Sequence, residues 1–315
     1  MRFQVSREGL WLLLSAAVVV AVLASGCGGD LPTASRLERT RVLGARVQVA
    51  ADPGRADALP GEAAAVEWLV AGPKAPGALA WAFGVCTSVD GNCEGGAAMS
   101  VTGTGSPVLA SFTAPAVVDA VHRPLMLGVV CDGGAPALGG AGMPGCGAAA
   151  ASTNVARFSI PMPAAGEAPN HHPNVGNDVL LLDGVPWTAV PAGDSGGPCD
   201  ASSGLPTIAA GREEVPIRLV TDGDDRELSV PEAGGAAVPE ELQLSSFATG
   251  GELEGSYDDL PSTEVAPDAA FETSWTAPAV KDLPGGGLVV HFHFVVRDGR
   301  GGLDWTHRAL CAVAP

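Results

Sequence analysis

From residue 42 onward the apolar residues come in short runs, each closed by Gly, Pro, Asp or Asn, and sustained helical periodicity is nearly absent. Residues 42–49 read as an opening strand, Pro60-Gly61-Glu62 turns the chain, and residues 64–70 read as the next strand. Further strands are expected at 79–86, 108–113, 125–131 and 155–160, with Gly- and Pro-rich loops between them. Asp178-Val179-Leu180-Leu181-Leu182-Asp183-Gly184 opens a second series, continued at 215–221, 242–247, 271–276, 288–297 and 305–313. This pattern predicts an all-β chain. The stretch from Asp132 to Ser152, mostly Gly and Ala, is expected to be a long mobile loop that Cys146 pins.

The two series repeat each other. Ser111-Phe112-Thr113-Ala114-Pro115-Ala116-Val117 recurs as Ser274-Trp275-Thr276-Ala277-Pro278-Ala279-Val280, and each copy runs through an apolar strand into Asp132-Gly133-Gly134 or Asp298-Gly299-Arg300. The aromatic residue is expected to fill the space between two sheets, Ala-Pro to end the strand, and Asp-Gly to start the turn after the penultimate strand. With the closing run Val295-Val296-Arg297-Asp298-Gly299-Arg300-Gly301-Gly302, the chain resembles bacterial immunoglobulin-like modules. The resemblance implies two immunoglobulin-like β-sandwich domains, at 42–160 and 178–315, and implies no reaction. Residues 161–177, with their prolines and Asn170-His171-His172-Pro173-Asn174, are read as an extended, semi-rigid linker.

Ahead of the sandwiches, Arg2 and Arg7 precede an uncharged run from Leu10 to Ala24, giving the charged and apolar regions of an export signal over residues 1–26. That run is short for a permanent membrane helix. Leu23-Ala24-Ser25-Gly26-Cys27 resembles the lipobox of bacterial lipoproteins, which implies that Cys27 becomes the first mature residue, diacylated on sulfur and acylated on its new amino terminus. Gly28, where an Asp favours inner-membrane retention, points to the outer membrane, with the protein facing the periplasm or the cell surface. Residues 27–41 are expected to be a lipidated, flexible, polar tether. With its signal, tether and paired modules, the whole chain is similar to outer-membrane lipoproteins of high-GC diderm bacteria, a label that carries no substrate.

Charge narrows the partners. Against 35 Asp and Glu stand 17 Lys and Arg, for a formal net charge of −18, so the chain has no basic surface for nucleic acid. The expected partners are the membrane, through the lipid, and an envelope protein or glycan; no cofactor is implied. Once Cys27 is assigned to lipid, Cys86, Cys93, Cys131, Cys146, Cys199 and Cys311 remain for disulfides in an oxidising compartment. Their spacings are not those of a zinc site. Cys86 and Cys93 flank a turn-like Thr-Ser-Val-Asp-Gly-Asn and pair across a hairpin in one arrangement; Cys86 with Cys131, bridging two sheets, is an equally physical alternative. Local pairs, with Cys199 to Cys311 closing the second domain, are the preferred expectation.

Several motifs suggest chemistry. Gly193-Asp194-Ser195-Gly196-Gly197-Pro198 spells the nucleophile loop of trypsin-like serine proteases. The rest of that machinery is missing: no segment matches the family's histidine motif, the histidines ahead of Ser195 are His122, His171 and His172, and no Ser-Trp-Gly strand follows near 210–220. The motif is therefore read as a loop between Trp187 and Cys199. His291 and His293 alternate with Val290, Phe292 and Phe294, so they share one face of a strand and are read as half-exposed, since no third ligand is identifiable. Asp222-Gly223-Asp224-Asp225 is read as a hairpin turn lacking the rest of an EF-hand, and Asp258-Asp259 as a solvated loop. Trp187, Trp275 and Trp305 are either stacking platforms for a glycan or fillers of cores and interfaces. The sequence thus points to a non-catalytic envelope module with a structural or interaction role. A glycan- or partner-binding surface lipoprotein is the first alternative and a serine hydrolase the remote one.

Overall fold

The computed structural model describes residues 34–315 apart from 75, 90–91, 94–100, 117–122, 139–143, 164–166, 176–178, 191–198, 200–202, 222–224, 230–235 and 267–268. The first series of strands is β1 (Arg41–Gln48), β2 (Ala63–Ala71), β3 (Leu79–Val89), β4 (Asn92–Cys93), β5 (Val101–Thr104), β6 (Val108–Thr113), β7 (Arg123–Asp132), β8 (Pro136–Leu138), β9 (Pro144–Cys146) and β10 (Ser152–Ser159). One sheet has the order β1-β2-β6; the sheet facing it has the order β10-β7-β3-β4, with β5 also paired to β3. All these pairings are antiparallel.

The second series repeats the plan with β11 (Val179–Leu182), β12 (Val185–Pro186), β13 (Thr207–Ala209), β14 (Val215–Val220), β15 (Leu228–Ser229), β16 (Val238–Pro239), β17 (Leu242–Ala248), β18 (Glu252–Leu253), β19 (Tyr257–Leu260), β20 (Ala270–Thr276), β21 (Leu288–Arg297) and β22 (Leu303–Val313). Its sheets have the orders β12-β11-β14-β20-β18 and β13-β22-β21-β17-β19. The central trios correspond: β1-β2-β6 matches β11-β14-β20, and β10-β7-β3 matches β22-β21-β17. Both sandwiches are immunoglobulin-like, and the repeated Ser-(Phe/Trp)-Thr-Ala-Pro segments occupy the equivalent strands β6 and β20.

Alternation along each strand sends one set of side chains inward. In the first sandwich Val47, Val66, Trp68, Phe83, Val108, Met126 and Val130 are buried together, with Trp68 stacked on Phe83 at 4.8 Å between centroids. In the second, Trp187 and Trp275 both pack edge-on against Phe292. Their indole N–H groups donate to Ala309 O at 2.9 Å and Gly250 O at 3.0 Å, so each ring enters the core with its polar atom satisfied. Trp275 fills the intersheet space as the repeat suggests, whereas its counterpart Phe112 is half-buried at the core's margin.

Disulfides join Cys86 to Cys93, Cys131 to Cys146 and Cys199 to Cys311, the preferred pairing. The stretch 132–152, expected to be a mobile loop, contains the hairpin β8–β9, which Cys146 ties back to β7. The segments at 34–41 and 167–172, read from sequence as solvated tether and spacer, are packed in part: Ser35, Leu37, Thr40 and Asn170 are buried, while Arg36, Glu38, Arg39, Glu167 and Ala168 are exposed. Among the described residues no helix is long and apolar enough to cross a membrane.

Candidate functional site

The two sandwiches meet over a third apolar core of Leu37, Leu43, Ala71, Phe247, Val295 and Leu303, flanked by Leu69 and Trp305. Phe247, Val295 and Trp305 lie on the outer face of the β17-β21-β22 sheet, because the pleat that turns Phe292, Phe294 and Val296 inward turns their neighbours outward. Gly44 at a bulge in β1 permits the approach, since a Cβ there would stand 3.3 Å from a Leu303 methyl and 3.4 Å from a Val295 methyl. Beside this core Arg46 reaches across from β1, lies 4.1 Å above the Trp305 ring, and forms ion pairs with Asp304 and Glu67. One face of the half-buried Trp305 ring is therefore covered by a guanidinium.

Segment 170–172 supplies the polar half of the junction. Asn170 N–H donates to Asp57 Oδ2 at 3.1 Å in the β1–β2 loop, while its side-chain amide donates to Asp298 Oδ2 at 2.7 Å in the β21–β22 turn. Asp298 Oδ1 accepts the N–H groups of Arg300, Gly301 and Gly302, fixing that turn. His172 holds both sandwiches at once: its Nδ1 accepts Leu303 N–H at 3.1 Å and its Nε2 donates to Val47 O at 2.8 Å. That pattern selects the neutral tautomer, and burial lowers the ring's proton affinity in the same sense. His171 meets Glu227 at 2.5 Å, and Arg300 pairs with Glu227 and Glu240. Burial pushes the Glu240 carboxyl up to about 7 although Arg300 pulls it down, with Asp298 and Glu227 adding repulsion. Burial likewise raises the Asp57 carboxyl.

On the same outer face, His291 Nδ1 lies 3.0 Å from His307 Nε2, and His293 stacks on His307 at 4.7 Å between centroids. His291 is buried rather than half-exposed, a correction whose cause is cross-strand packing: β22 sets His307 directly opposite His293. Burial, then the neighbouring His307 and His291, depress the His293 ring to about 3. Among the described residues no group of three or more His, Cys, Asp or Glu side chains is arranged to hold a metal ion.

Other sequence candidates are dispersed. Cys27, His122, the segment Gly193 to Pro198 with Ser195, and Asp222 to Asp224 lie outside the described residues. Asp225 is buried and accepts Asn174 N–H at 2.8 Å. Asp258 and Asp259 belong to strand β19 rather than a loop, and their carboxylates accept N–H groups from Asp259, Glu272 and Gln243. Sequence reasoning passed over Leu37, Asp57, Glu240, Arg300 and His307. Of these only Leu37, an isolated large apolar residue in a polar stretch, gave a readable signal.

No protein-family model and no curated protein matches the chain. Among solved structures, similarity is found to the fibronectin(III)-like modules of Clostridium thermocellum CbhA, at 8% identity over 85% of this chain and 93% of that one, with a TM-score of 0.20. Dimeric latent PorU from Porphyromonas gingivalis matches at 10% identity over 89% of this chain and 24% of its own length, also with a TM-score of 0.20. The immunoglobulin-like assignment therefore rests on the strand order and not on these similarities.

Proposed function

We propose that the protein is a lipid-anchored lipoprotein of the bacterial outer membrane whose paired sandwiches act, without catalysis, as a structural or protein-interaction module. The observation that supports this best is the junction: an apolar core, an Arg46–Trp305 stack and the Asn170 and His172 bridges join the sandwiches into one body. Such a body suits the presentation of a surface at a fixed geometry. Trp187 and Trp275 are buried in the second core and Arg46 lies over the Trp305 ring, so these tryptophans serve core and junction, while Tyr257 is an exposed aromatic side chain.

Anchoring is the part carried by sequence. Cys27 at the end of Leu23-Ala24-Ser25-Gly26-Cys27 offers a thiol for diacylglycerol transfer, and Gly28 directs the product outward. Each buried methylene adds about 0.8 kcal/mol, so several acyl chains hold a protein at a bilayer where one chain alone is marginal. The test is mass spectrometry of the mature N-terminus with membrane fractionation of wild-type and Cys27→Ser cells. Triacylated or diacylated Cys27, and release of the Cys27→Ser protein from membranes, are expected. A mature chain that starts at Ser25, or carries an unmodified Cys27, overturns the anchor. In the same preparation a fluorophosphonate probe is expected to leave Ser195 unlabelled, and labelling there overturns the non-catalytic reading.

A further inference from the structure

The segment ahead of β1 belongs to the junction. Leu37 N–H donates to Ala248 O at 2.8 Å and Ala248 N–H donates to Ser35 O at 2.9 Å, so Arg36 runs parallel to the end of β17. Strand β19 pairs with β17 as far as Ser245, Ser246 N–H adds one bond to Ser256 O at 3.0 Å, and Ser35 to Leu37 continue the sheet beyond that point. The Leu37 side chain, 1% exposed, enters the third core against both sandwiches. Three residues later Thr40 Oγ1 donates to Asp132 Oδ2 at 2.6 Å, at the end of β7 in the first sandwich. Thr40 also backs onto Gly72, where a Cβ would fall 2.9 Å from Thr40 Oγ1 and 3.1 Å from its Cα. Arg41 closes the loop, with its guanidinium donating to Ala34 O at 3.0 Å and lying 5.7 Å from the Phe247 ring centroid.

One segment is thus fastened to the second sandwich at its start and to the first at its end. We propose that Ser35 to Arg41 is a clasp that holds the two sandwiches in register and couples their packing to the chain on its N-terminal side. A pull or a pry from that side reaches Leu37 before any core strand, so displacing the segment and loosening the junction are one event. Applied to the anchored protein, and resting there on the lipoprotein reading, the clasp begins eight residues after Cys27. The sandwich that comes last in sequence then takes up the tether.

Arg36, Arg39 and Arg41 make the clasp readable by trypsin. In the full chain carrying Cys27→Ser, which takes acylation out of the comparison, cleavage after these arginines is expected to be at least about 100-fold slower than in the urea-unfolded chain, because it requires local opening. Leu37→Ala and, independently, Gly72→Val are expected to speed those cuts by about tenfold while far-UV circular dichroism stays unchanged. Spin labels placed through non-natural side chains at the exposed positions Leu109 and Val265 report the second half. Pulsed electron resonance should give a narrow distance distribution that broadens with Leu37→Ala. Rapid cutting of the native segment, or a distribution that stays narrow in Leu37→Ala, overturns the clasp. Neither readout depends on lipid, so a failed clasp leaves the anchoring result standing and an unacylated Cys27 leaves the clasp standing.

Discussion

His293 and Glu240 hold protons in opposite senses, so their contributions to stability run in opposite directions as the pH changes. The folded His293 ring titrates near 3 against 6.5 when unperturbed. Between those values the unfolded chain binds the extra proton, so this residue's contribution is present above 6.5 and is lost as pH falls toward 3. Glu240 titrates near 7 against 4.5. Between those values the folded chain binds the extra proton, so its contribution is present below 4.5 and is lost as pH rises toward 7. Each slope is roughly 1.4 kcal/mol per pH unit for one proton, and from 4.5 to 6.5 they oppose each other. Urea unfolding at pH 4.5, 5.5 and 6.5 should therefore show, relative to wild type, a Glu240→Gln protein that weakens on acidification and a His293→Asn protein that strengthens. Equal pH profiles for all three proteins would contradict the burial argument. The alternation of histidines with Val290, Phe292 and Phe294 was readable in the sequence; the burial of His291 was not, because it depends on which strand lies alongside and what covers the sheet.

Among the elements, long strands were legible because each is an apolar run long enough to stand out between turn residues, as β3, β7, β21 and β22 are, with the His-Phe alternation of β21 also declaring a face. Strands of two to four residues, such as β4, β8, β13 and β18, are too short to show a period and exist through their neighbours' hydrogen bonds. The hairpin β8–β9 is the clearest case, since its Gly- and Ala-rich sequence predicts only a loop and the Cys131–Cys146 bond holds it to β7. Sequence separations of 7, 15 and 112 residues rank what the disulfides contribute. On the chain-entropy account, removing Cys86–Cys93, Cys131–Cys146 or Cys199–Cys311 as a double Ser variant costs about 2, 3 and 5 kcal/mol respectively. Denaturant midpoints of the three variants check the order, and a Cys199–Cys311 variant as stable as the Cys86–Cys93 one would show that native contacts, not loop closure, dominate.

For the whole molecule, two sandwiches and their repeat could be read from the chain, but their union could not. Leu37, Leu43, Ala71, Phe247, Val295 and Leu303 come from six separate segments, and no periodicity relates them. Asn170 and His172 looked like spacer residues because a polar, proline-bearing stretch is the same in sequence whether it crosses solvent or a junction. The test of the union is cooperativity. A third core that shares side chains with both sheets makes opening of either sandwich expose apolar surface on the other, so the native protein should unfold in one calorimetric transition. Gly44 is the point at which to weaken it, because Val there adds branched carbons where a bare Cβ already sits 3.3 Å from Leu303, while the residue lies outside both sandwich cores. Gly44→Val should split the endotherm into two, the total enthalpy changing little because each sandwich keeps its own core. A single unshifted transition in that variant would mean that the sandwiches cooperate through the polar bridges of Asn170 and His172 instead, and Asn170→Ala in the same background would then be the change that separates them.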